Sequence, residues 1–548
     1  MSTKKVWFKK DGDWFIGNLI ITNDDRAVIN YDGENYTVDN YYPYKELDYN
    51  NIYDVINLPL LDEPSILESI HNRFNINKIY TNCGEILISV NPFRFTDLYS
   101  NDNKILYKQN LLKNSFKDSH IYNNVNKSFY YLSKFNKSQS ILISGESGAG
   151  KTQSTKIIID YLTYLSSKDG KTNDIQLKII NSNPILESFG NAKTIKNDNS
   201  SRFGKFIKLF FNKNNNICGG LIETFLLEKV RVIKQNPNER NFHIFYEFLN
   251  GIDNITMEEL KINKYYNTEK SFLQNGLIQR TMNTTDKSQF NNLNDLLNNI
   301  GLSPENKLSI WKIIAFIIII GGYTYELNLD KIQYLASLLN IDITTIMEAL
   351  YTRRIIVNNE SIHSDQTEDE FYNSRDSLVT KLYTKLFDYI VNTINKNISQ
   401  NNLNDNSMNF IGILDIFGFE SLETNSFEQL CINFANETLQ NQFNKYSLEQ
   451  EQKEYKLEEI KWDYIEFNDN IQCINLISGK MGIFKILDEQ CKVPNGNDTT
   501  FLNRMNKELI NNSDYKCNNL HNDKIFSIRH YADIINYDIK DFCDKNKD

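Results

Sequence analysis

The sequence predicts an α/β protein in which helices flank a central β-sheet. A small module of short strands precedes this core. Three observations support this class. Residues 139–144 form a short apolar run that ends in a glycine-rich loop, and residues 151–166 follow with apolar positions at helical spacing. Residues 4–45 alternate apolar and polar side chains between turn pairs. A strand, a glycine loop and a helix in this order are typical of an α/β core.

The composition is that of an ordinary globular protein. The chain has 548 residues, of which 40% are hydrophobic and 24% charged, and it is long enough to bury a core without a disulfide or a metal. The net charge of −10 argues against a surface that binds nucleic acids in general. The 7 cysteines include no CxxC pair, which disfavours disulfide and zinc frameworks and indicates a reducing compartment.

Neither a secretory signal nor a membrane span is expected. Residues 1–10 carry lysines but no apolar segment, so they do not resemble a signal peptide. The most apolar run, residues 313–320, is much shorter than the roughly 20 residues that cross a bilayer. We therefore expect a buried helix at residues 313–320 and a cytoplasmic location.

The remaining elements follow in chain order. Four apolar runs predict further strands, at residues 85–92, 205–211, 219–227 and 409–415. Residues 240–400 are mostly helical by period. Residues 425–458 keep helical spacing without a proline or glycine, which predicts a helix long enough to span a domain.

Residues 145–152 match the phosphate-loop pattern GxxxxGK[ST] between a strand and a helix, which is the context that the pattern requires. The loop consists of Gly145, Glu146, Ser147, Gly148, Ala149, Gly150, Lys151 and Thr152. Glycines let backbone N–H groups approach phosphate oxygens, and the following helix presents its positive end to the anion. Lys151 can reach the β- and γ-phosphates, and Thr152 can ligate Mg²⁺. The loop predicts a P-loop NTPase fold that binds a nucleoside triphosphate.

Two further polar segments narrow the prediction. Residues 191–205 combine amides, hydroxyls and Arg202, which can pair with a carboxylate or a phosphate. Residues 415–420 follow a buried strand, where Asp415 can position Mg²⁺ and Gly418 offers a backbone N–H to the γ-phosphate. Glu420 is free to pair with Arg202. Taken alone, the first segment is equally compatible with a polar surface loop, and the second with a capped turn.

Together these segments resemble the myosin motor domain. GESGAGKT, NAKTxxNxNSSRFGK and DIxGFE are similar to that family's phosphate loop, switch I and switch II, and further matches extend along nearly the whole chain. Kinesins also have a phosphate loop and an Asn-x-x-Ser-Ser-Arg element, which a Ser-His pair follows. Here Phe203, Gly204 and Lys205 follow the arginine, which favours myosin.

The resemblance implies which residues bind ATP. In myosins the adenine end lies near an Asn-Pro pair and a tyrosine, which correspond to Asn91, Pro92 and Tyr99 here. Asn197 would contact a phosphate and Lys151. The residues of the phosphate loop would complete the nucleotide site.

The resemblance also implies a magnesium site and a catalytic group. Thr152 and Ser201 would ligate Mg²⁺, with Asp415 in the outer coordination sphere. Arg202 and Glu420 would form the salt bridge that closes the pocket, and Ser200 would lie near the attacking water. The implied catalytic residues are Ser200, Ser201, Arg202, Gly418 and Glu420.

The domain plan follows from the same resemblance. Residues 1–48 would form a small SH3-like β barrel, and residues 49–548 the motor domain. Its implied parts are a nucleotide-binding part at 49–210, an upper central subdomain at 211–408, and switch II, the relay helix and an incomplete lower central subdomain at 409–548. Myosins grip actin filaments with the tips of the two central subdomains, here near residues 355–372 and within residues 421–445. No nucleic-acid partner is expected.

The resemblance leaves two functions open. Residues 530–548 are similar to the segment just before the family's basic actin-binding loop, and one sheet strand, the converter and the light-chain-binding lever would follow it. The first function is an actin-activated motor that hydrolyses Mg-ATP in the actin cytoskeleton. The alternative is a truncated, non-motile protein that binds ATP and actin. On either reading, light chains are not expected to bind this chain.

Overall fold

The computed structural model describes most of the chain. The described residues are 4–23, 26–113, 115, 119–146, 148–167, 174–195, 197–266, 271–274, 285–357, 360–399, 408–467, 469–493, 496–517 and 524–546. Among them, no helix combines the length and the apolarity that crossing a bilayer requires.

The chain begins with an antiparallel sheet, as residues 4–45 predict. Its strands are β1 (Lys5–Lys10), β2 (Asp13–Asn23), β3 (Arg26–Tyr31), β4 (Glu34–Val38) and β5 (Tyr41–Pro43). The strand order is β4-β3-β2-β1-β5, so β4 and β5 are the edges, and the described residues do not close the expected barrel. β5 is only 3 residues long, pairs with β1, and ends in a proline that has no N–H to donate.

The next segment leads into the central sheet. Its elements are α1 (Glu63–Asn75), β6 (Tyr80–Cys83), β7 (Ile86–Ser89), α2 (Asn101–Leu112), α3 (Ile121–Phe135), β8 (Gln139–Ile143), α4 (Lys151–Ser166), α5 (Asp174–Gly190), β9 (Asn191–Ala192), β10 (Ser200–Ser201), β11 (Gly204–Phe211) and β12 (Ile217–Phe225). The helix predicted at residues 151–166 and the paired strands predicted at 205–211 and 219–227 are confirmed. The strand predicted at 85–92 is shorter than expected.

Helices dominate the following segment, as its period predicts. They are α6 (His243–Gly251), α7 (Asn254–Glu259), α8 (Ile262–Tyr265), α9 (Asp286–Asn299), α10 (Pro304–Gly321), α11 (Leu329–Leu339), α12 (Ile343–Tyr351) and, after the hairpin β13 (Thr352–Val357) and β14 (Glu360–Asp365), α13 (Glu368–Ile398). The apolar run at 313–320 lies in α10 and is buried over most of its length. The β13–β14 hairpin occupies part of the tip loop expected near residues 355–372.

The last segment holds a strand, a long helix and a small α+β unit. Its elements are β15 (Asn409–Asp415), α14 (Phe427–Asn444), α15 (Gln450–Leu457), α16 (Ile471–Ser478), α17 (Ile483–Lys492), α18 (Asp498–Leu509), β16 (Tyr515–Cys517), β17 (Ile525–Arg529), β18 (Ile534–Asp538) and α19 (Phe542–Asn546). The long helix predicted at 425–458 is confirmed as α14 and α15, joined without a break by a π-helical turn, Lys445–Glu449.

Two large hydrophobic clusters form around these elements, and two small ones lie in the first sheet and near α1. The larger cluster runs from Ile79 to Ile413 in sequence and includes residues of the central sheet and of helices between α2 and α13. The smaller cluster joins Leu430 of α14 to α16, α17, α18 and α19 and to the β16–β18 sheet. We call them the upper core and the lower core. In sequence, the boundary between the upper core and the lower core lies between β15 and α14.

The topology of the central sheet brings three loops to one edge. The strand order is β12-β11-β15-β8, with β15 parallel to β8 and antiparallel to β11. The carboxyl ends of β8 and β15 therefore lie beside the amino end of β11. Asp415 pairs with Ile143 on one side and with Lys205 on the other. The phosphate loop (145–152), the switch I segment (191–205) and the switch II segment (415–420) consequently meet there.

Candidate functional site

The phosphate loop has the backbone that its glycines permit. Gly145, Gly148 and Gly150 have φ of 147°, 87° and 94°, in a region that residues with a Cβ rarely adopt. Gly150 is the N-cap of α4, so the first N–H groups of that helix face the loop and can receive an anion. Ser147 lies outside the described residues.

Lys151 closes over this loop. Its Nζ donates to the carbonyl oxygens of Gly145 at 2.8 Å and Glu146 at 2.7 Å. Burial lowers the pKa of Lys151, while the carboxylates of Asp415, Glu420 and Glu146 oppose that change. The ammonium group is therefore held at the loop with negative side chains of the switch II segment nearby.

The segment expected to bind adenine reaches the loop through Asn91. The Asn91 Nδ2 donates to the Gly148 carbonyl oxygen at 2.7 Å, and Pro92 follows in the chain. Tyr99 instead forms a hydroxyl–hydroxyl hydrogen bond with Tyr80 at 2.6 Å. The structure thus joins Asn91 to the phosphate loop, whereas Tyr99 belongs to a neighbouring aromatic cluster.

The switch I segment is fixed by its own hydrogen bonds. Strands β9 and β10 pair Ser200 with Ala192, and Thr194 donates its N–H to the Asn197 carbonyl oxygen at 2.8 Å. The Asn197 side-chain oxygen accepts the N–H of Asn199 at 3.0 Å. Asn197 is therefore part of the turn itself, although a contact with Lys151 was expected for it.

The two serines of switch I lie beside Arg202. Ser200 is buried, and its Oγ lies 3.4 Å from Arg202 Nη1, which donates to it. Ser201 donates its hydroxyl to the Phe203 carbonyl oxygen at 2.9 Å. The Ser201 oxygen keeps lone pairs that can ligate a cation.

Arg202 lies between two carboxylates. Its Nε contacts Glu228 Oε2 at 2.5 Å, and its Nη1 lies 3.8 Å from Glu420 Oε1. The ion pair predicted with Glu420 is thus present, but the nearer partner is Glu228. Burial raises the pKa of Glu228, and the positive charges of Arg202 and Arg231 outweigh that effect and bring the pKa to about 2.

Sequence reasoning missed the role of Glu228, although a signal existed. The strands predicted at 205–211 and 219–227 form a hairpin, so residues just before the first strand lie beside residues just after the second. The structure pairs Gly204 with Phe225 accordingly. Glu228 therefore reaches Arg202 and also binds Arg231 at 2.8 Å.

Asp415 lies at the base of the site. Its carboxylate is buried, 3.4 Å from Lys205 Nζ, and its Oδ2 has no hydrogen-bond partner among the described residues. The Asp415 carboxylate and the hydroxyls of Thr152 and Ser201 belong to the three segments that meet at this end of the sheet, and together they are a donor set that suits Mg²⁺. The residues present therefore fit the expected ion.

Gly418 brings the switch II segment directly against the phosphate loop. A Cβ at this position would lie 1.7 Å from the Gly145 carbonyl oxygen and 3.0 Å from Glu146 Cα. Both neighbours are backbone atoms, so no side chain can be accommodated without moving one loop. Glycine is required here by this close approach rather than by its backbone angles.

The switch II segment is held by the long helix α14. Asn433 accepts the Glu420 N–H at 2.8 Å and donates to the Glu420 carbonyl oxygen at 2.9 Å. Gln429 donates to the Glu420 carboxylate at 3.0 Å, and Asn436 donates to the Phe417 carbonyl oxygen at 3.2 Å. The position of Glu420 is therefore coupled to that of the helix.

A glycine loop between a strand and a helix, with two polar segments at the same sheet edge, defines a candidate nucleotide site. The chain belongs to the myosin head (motor domain) family, whose family model matches residues 52–548. The domain boundaries expected from the sequence stay predictions.

Three curated relatives show how far the similarity extends. The chain is 37% identical over 516 residues to Myosin-51 of Schizosaccharomyces pombe, covering 90% of this chain and 34% of the relative. It is 37% identical over 517 residues to Myosin-I heavy chain of Dictyostelium discoideum, covering 91% and 21%. It is 34% identical over 554 residues to Myosin-3 of Arabidopsis thaliana, covering 98% and 47%. The chain thus spans less than half of the length of each.

Proposed function

We propose that this chain binds Mg-ATP at the sheet edge and hydrolyses it as part of an actin-based motor of the myosin type. The observation that carries the proposal is the convergence of three loops at one edge, where Arg202 of switch I faces Glu420 of switch II at 3.8 Å. Membership of the myosin head family supports the same function.

The phosphate loop would bind the substrate's phosphates through the N–H groups at the start of α4 and through Lys151. Thr152 and Ser201 would ligate Mg²⁺, with the Asp415 carboxylate in its outer coordination sphere. The bound ion would neutralise negative charge on the phosphates. Asn91, Pro92 and Tyr99 would face the adenine end. The hydrogen bond from Asn91 to Gly148 supports a position beside the phosphate loop for Asn91.

Hydrolysis would depend on closing switch II onto the loop. The Gly418 N–H would donate to the γ-phosphate, and Ser200 would hold the attacking water. The Arg202–Glu420 pair would seal the site behind them. These groups include no strong general base, so positioning and electrostatic stabilisation would supply the rate enhancement.

The partner would be an actin filament, and the location the actin cytoskeleton of the cytoplasm. The β13–β14 hairpin and the segment that starts α14 would form the two contact points. The alternative function is that of a non-motile protein that binds ATP at the same site and also binds actin. The two are distinguished by whether nucleotide turnover moves filaments.

The test measures nucleotide binding, phosphate release and actin cosedimentation. We expect the wild-type chain to bind a fluorescent ATP analogue with Mg²⁺ and to release phosphate. We expect it to pellet with filaments and to dissociate when ATP is added. Lys151→Ala should abolish binding, while Lys178→Ala, which removes a lysine paired with Asp174 on α5, should not. Equal binding by wild type and Lys151→Ala would overturn the site, and absence of phosphate release would overturn hydrolysis.

Filament gliding over surface-bound protein then separates the motor from the alternative. Gliding that stops when ATP is removed supports the motor. Filaments that are held but never moved, by a protein that binds ATP, support the non-motile alternative.

A further inference from the structure

A chain of buried hydrogen bonds runs from the switch II segment into the lower core. Asn433 Nδ2, which donates to the Glu420 carbonyl oxygen, also donates to the Tyr537 hydroxyl at 2.9 Å. The Tyr537 hydroxyl lies 2.8 Å from His530 Nε2, and His530 Nδ1 lies 2.9 Å from Glu437 Oε2. Asn433, Tyr537, His530 and Glu437 are all buried.

The direction of the first and last hydrogen bonds in this network is fixed by chemistry. The Asn433 amide nitrogen can only donate, so the Tyr537 hydroxyl accepts there. The Glu437 carboxylate oxygen accepts from His530 Nδ1. The Tyr537 oxygen has two lone pairs and one hydrogen, so it can either donate to His530 Nε2 or accept from it, and the two side chains are linked in both arrangements.

The same cluster has a second interpretation, as a metal site. Glu437, Cys473 and His530 are of ligand types, and one such atom of each lies within 4.8 Å of the others. The carboxylate, however, already accepts hydrogen bonds from Asn470 at 2.7 Å and from the Tyr531 N–H at 3.2 Å. Burial raises the pKa of the Cys473 thiol, so a cation bound here would first have to displace its proton. We therefore interpret the cluster as a hydrogen-bonded core.

We infer that Tyr537 and His530 are positioning residues that hold the Glu420 peptide, through Asn433, in the orientation in which Glu420 faces Arg202. Neither side chain touches the nucleotide site. If the Tyr537 hydroxyl is lost, Asn433 Nδ2 loses one acceptor and His530 Nε2 loses its partner. Asn433 then keeps its two hydrogen bonds to Glu420 but loses the third contact that holds its amide in place, so the Glu420 peptide is held less firmly. The effect on hydrolysis rests on the function proposed above, whereas the effect on the Glu420 peptide does not.

The test compares two hydroxyl deletions in the same core. Tyr537→Phe removes the link, and Tyr515→Phe is the matched control. Tyr515 lies in the same small sheet, is similarly buried, and donates its hydroxyl to Asn506 at 2.6 Å. Amide hydrogen exchange of the peptide that contains Glu420 is measured first, without nucleotide. We expect exchange there to rise at least about tenfold in Tyr537→Phe and to stay at the wild-type rate in Tyr515→Phe.

Single-turnover hydrolysis is the second readout. We expect Tyr537→Phe to bind ATP like the wild type but to hydrolyse it at least about tenfold more slowly than Tyr515→Phe. Equal exchange at the Glu420 peptide in the two variants would overturn the inference. Altered exchange in Tyr537→Phe, with a wild-type chain that releases no phosphate, would instead overturn the proposed hydrolysis and leave the positioning role standing.

Two substitutions at His530 provide a second test in case Tyr537→Phe does not fold. The longer amide of His530→Gln can place an acceptor near Tyr537, whereas the shorter His530→Asn can replace only the contact to Glu437. We expect His530→Gln to keep the exchange rate of the Glu420 peptide close to the wild type and His530→Asn to raise it. Equal rates in the two amide variants would contradict the role assigned to the His530–Tyr537 contact.

Discussion

The switch I and switch II segments meet at one sheet edge but are anchored on different cores. Arg202 of switch I is bound to Glu228, beside the upper core. Glu420 of switch II is bound to Asn433 on α14, whose Leu430 belongs to the lower core. The contact between Arg202 and Glu420 therefore joins the two halves of the molecule at the candidate site.

The two contacts of Arg202 differ in strength as well as in place. The 2.5 Å contact with Glu228 is a charge-assisted hydrogen bond, whereas the 3.8 Å contact with Glu420 is a looser ion pair. The difference predicts that a movement of switch II would leave the anchor of switch I in place. Closure and opening of the site are then expected to change the Glu420 contact and to leave the Glu228 contact intact.

The largest expected effect comes from Gly418→Ala, which would push the switch II segment away from the phosphate loop. The added Cβ collides with the Gly145 carbonyl oxygen, so switch II is displaced from the phosphate loop together with its N–H donor. We expect single-turnover hydrolysis to fall by at least about 100-fold. Gly220→Ala is the control, because its Cβ would meet side-chain atoms of Ile179 at 3.3 Å and Ile398 at 3.4 Å and no backbone atom nearer than these. Similar rates in both variants would show that switch II need not touch the loop.

The next prediction concerns how much each of the two carboxylate partners of Arg202 contributes to the free energy of unfolding. Glu228→Ala leaves Arg202 and Arg231 without their shared carboxylate, and breaking a buried ion pair in this way typically costs about 3–5 kcal/mol. Glu420→Gln should cost less than Glu228→Ala in free energy of unfolding, since it weakens the longer contact to Arg202 and keeps a side-chain oxygen for the Gln429 N–H. Urea denaturation measures both values. Equal costs would contradict the assignment of Glu228 as the structural anchor.

Acid titration sharpens the same comparison. The pKa of Glu228 is about 2 in the folded chain, below the ordinary value of 4.5. The carboxylate therefore stabilises the fold fully above that ordinary value, and the stabilisation is lost as the pH falls towards about 2. Glu228→Gln should thus show a shallower loss of unfolding free energy across this window than the wild type. An exposed carboxylate, Glu85, supplies the control variant Glu85→Gln, and identical slopes for Glu228→Gln and the wild type would refute the prediction.

The smallest effect is expected at the rim of the lower core. Lys545 on α19 donates to Ser426 at 2.7 Å and contacts Glu428 at 2.8 Å, at the start of α14. Because this pair is partly exposed, Lys545→Ala should cost about 0.5–1 kcal/mol, and the cost should shrink in salt. Calorimetry at two ionic strengths measures it. A cost that salt does not alter would mean that packing, rather than charge, holds α19 there.

Local patterns were sufficient to predict the elements that carry the site. Apolar runs identified β8, β11, β12 and β15, and helical spacing identified α4 and α14, because each signal is contained in a short window. The phosphate-loop pattern and the polar segments then located Lys151, Arg202 and Glu420. Strand order and register, which determine whether these residues meet, became visible only in the folded sheet.

The sequence does not show which distant side chains form hydrogen bonds with each other, because the packing of the elements determines those pairs. Asn433 and Tyr537 are 104 positions apart, and no local pattern relates a helix to a strand over that distance. The open order of the first sheet was missed for a similar reason, since alternation predicts strands but not which edges pair. The π-helical turn after α14 carries no glycine or proline signal, so the long helix was expected to be regular.

The central claim is that Arg202 and Glu420 act together, across the boundary between the two cores, to close the site for hydrolysis. A double-mutant cycle tests it most directly, with single-turnover hydrolysis measured for the wild type, Arg202→Met, Glu420→Gln and the double variant. We predict a coupling energy above about 1 kcal/mol, so that the double variant is scarcely slower than the slower single variant. Losses that simply multiply would show that the two residues act independently and would contradict the account.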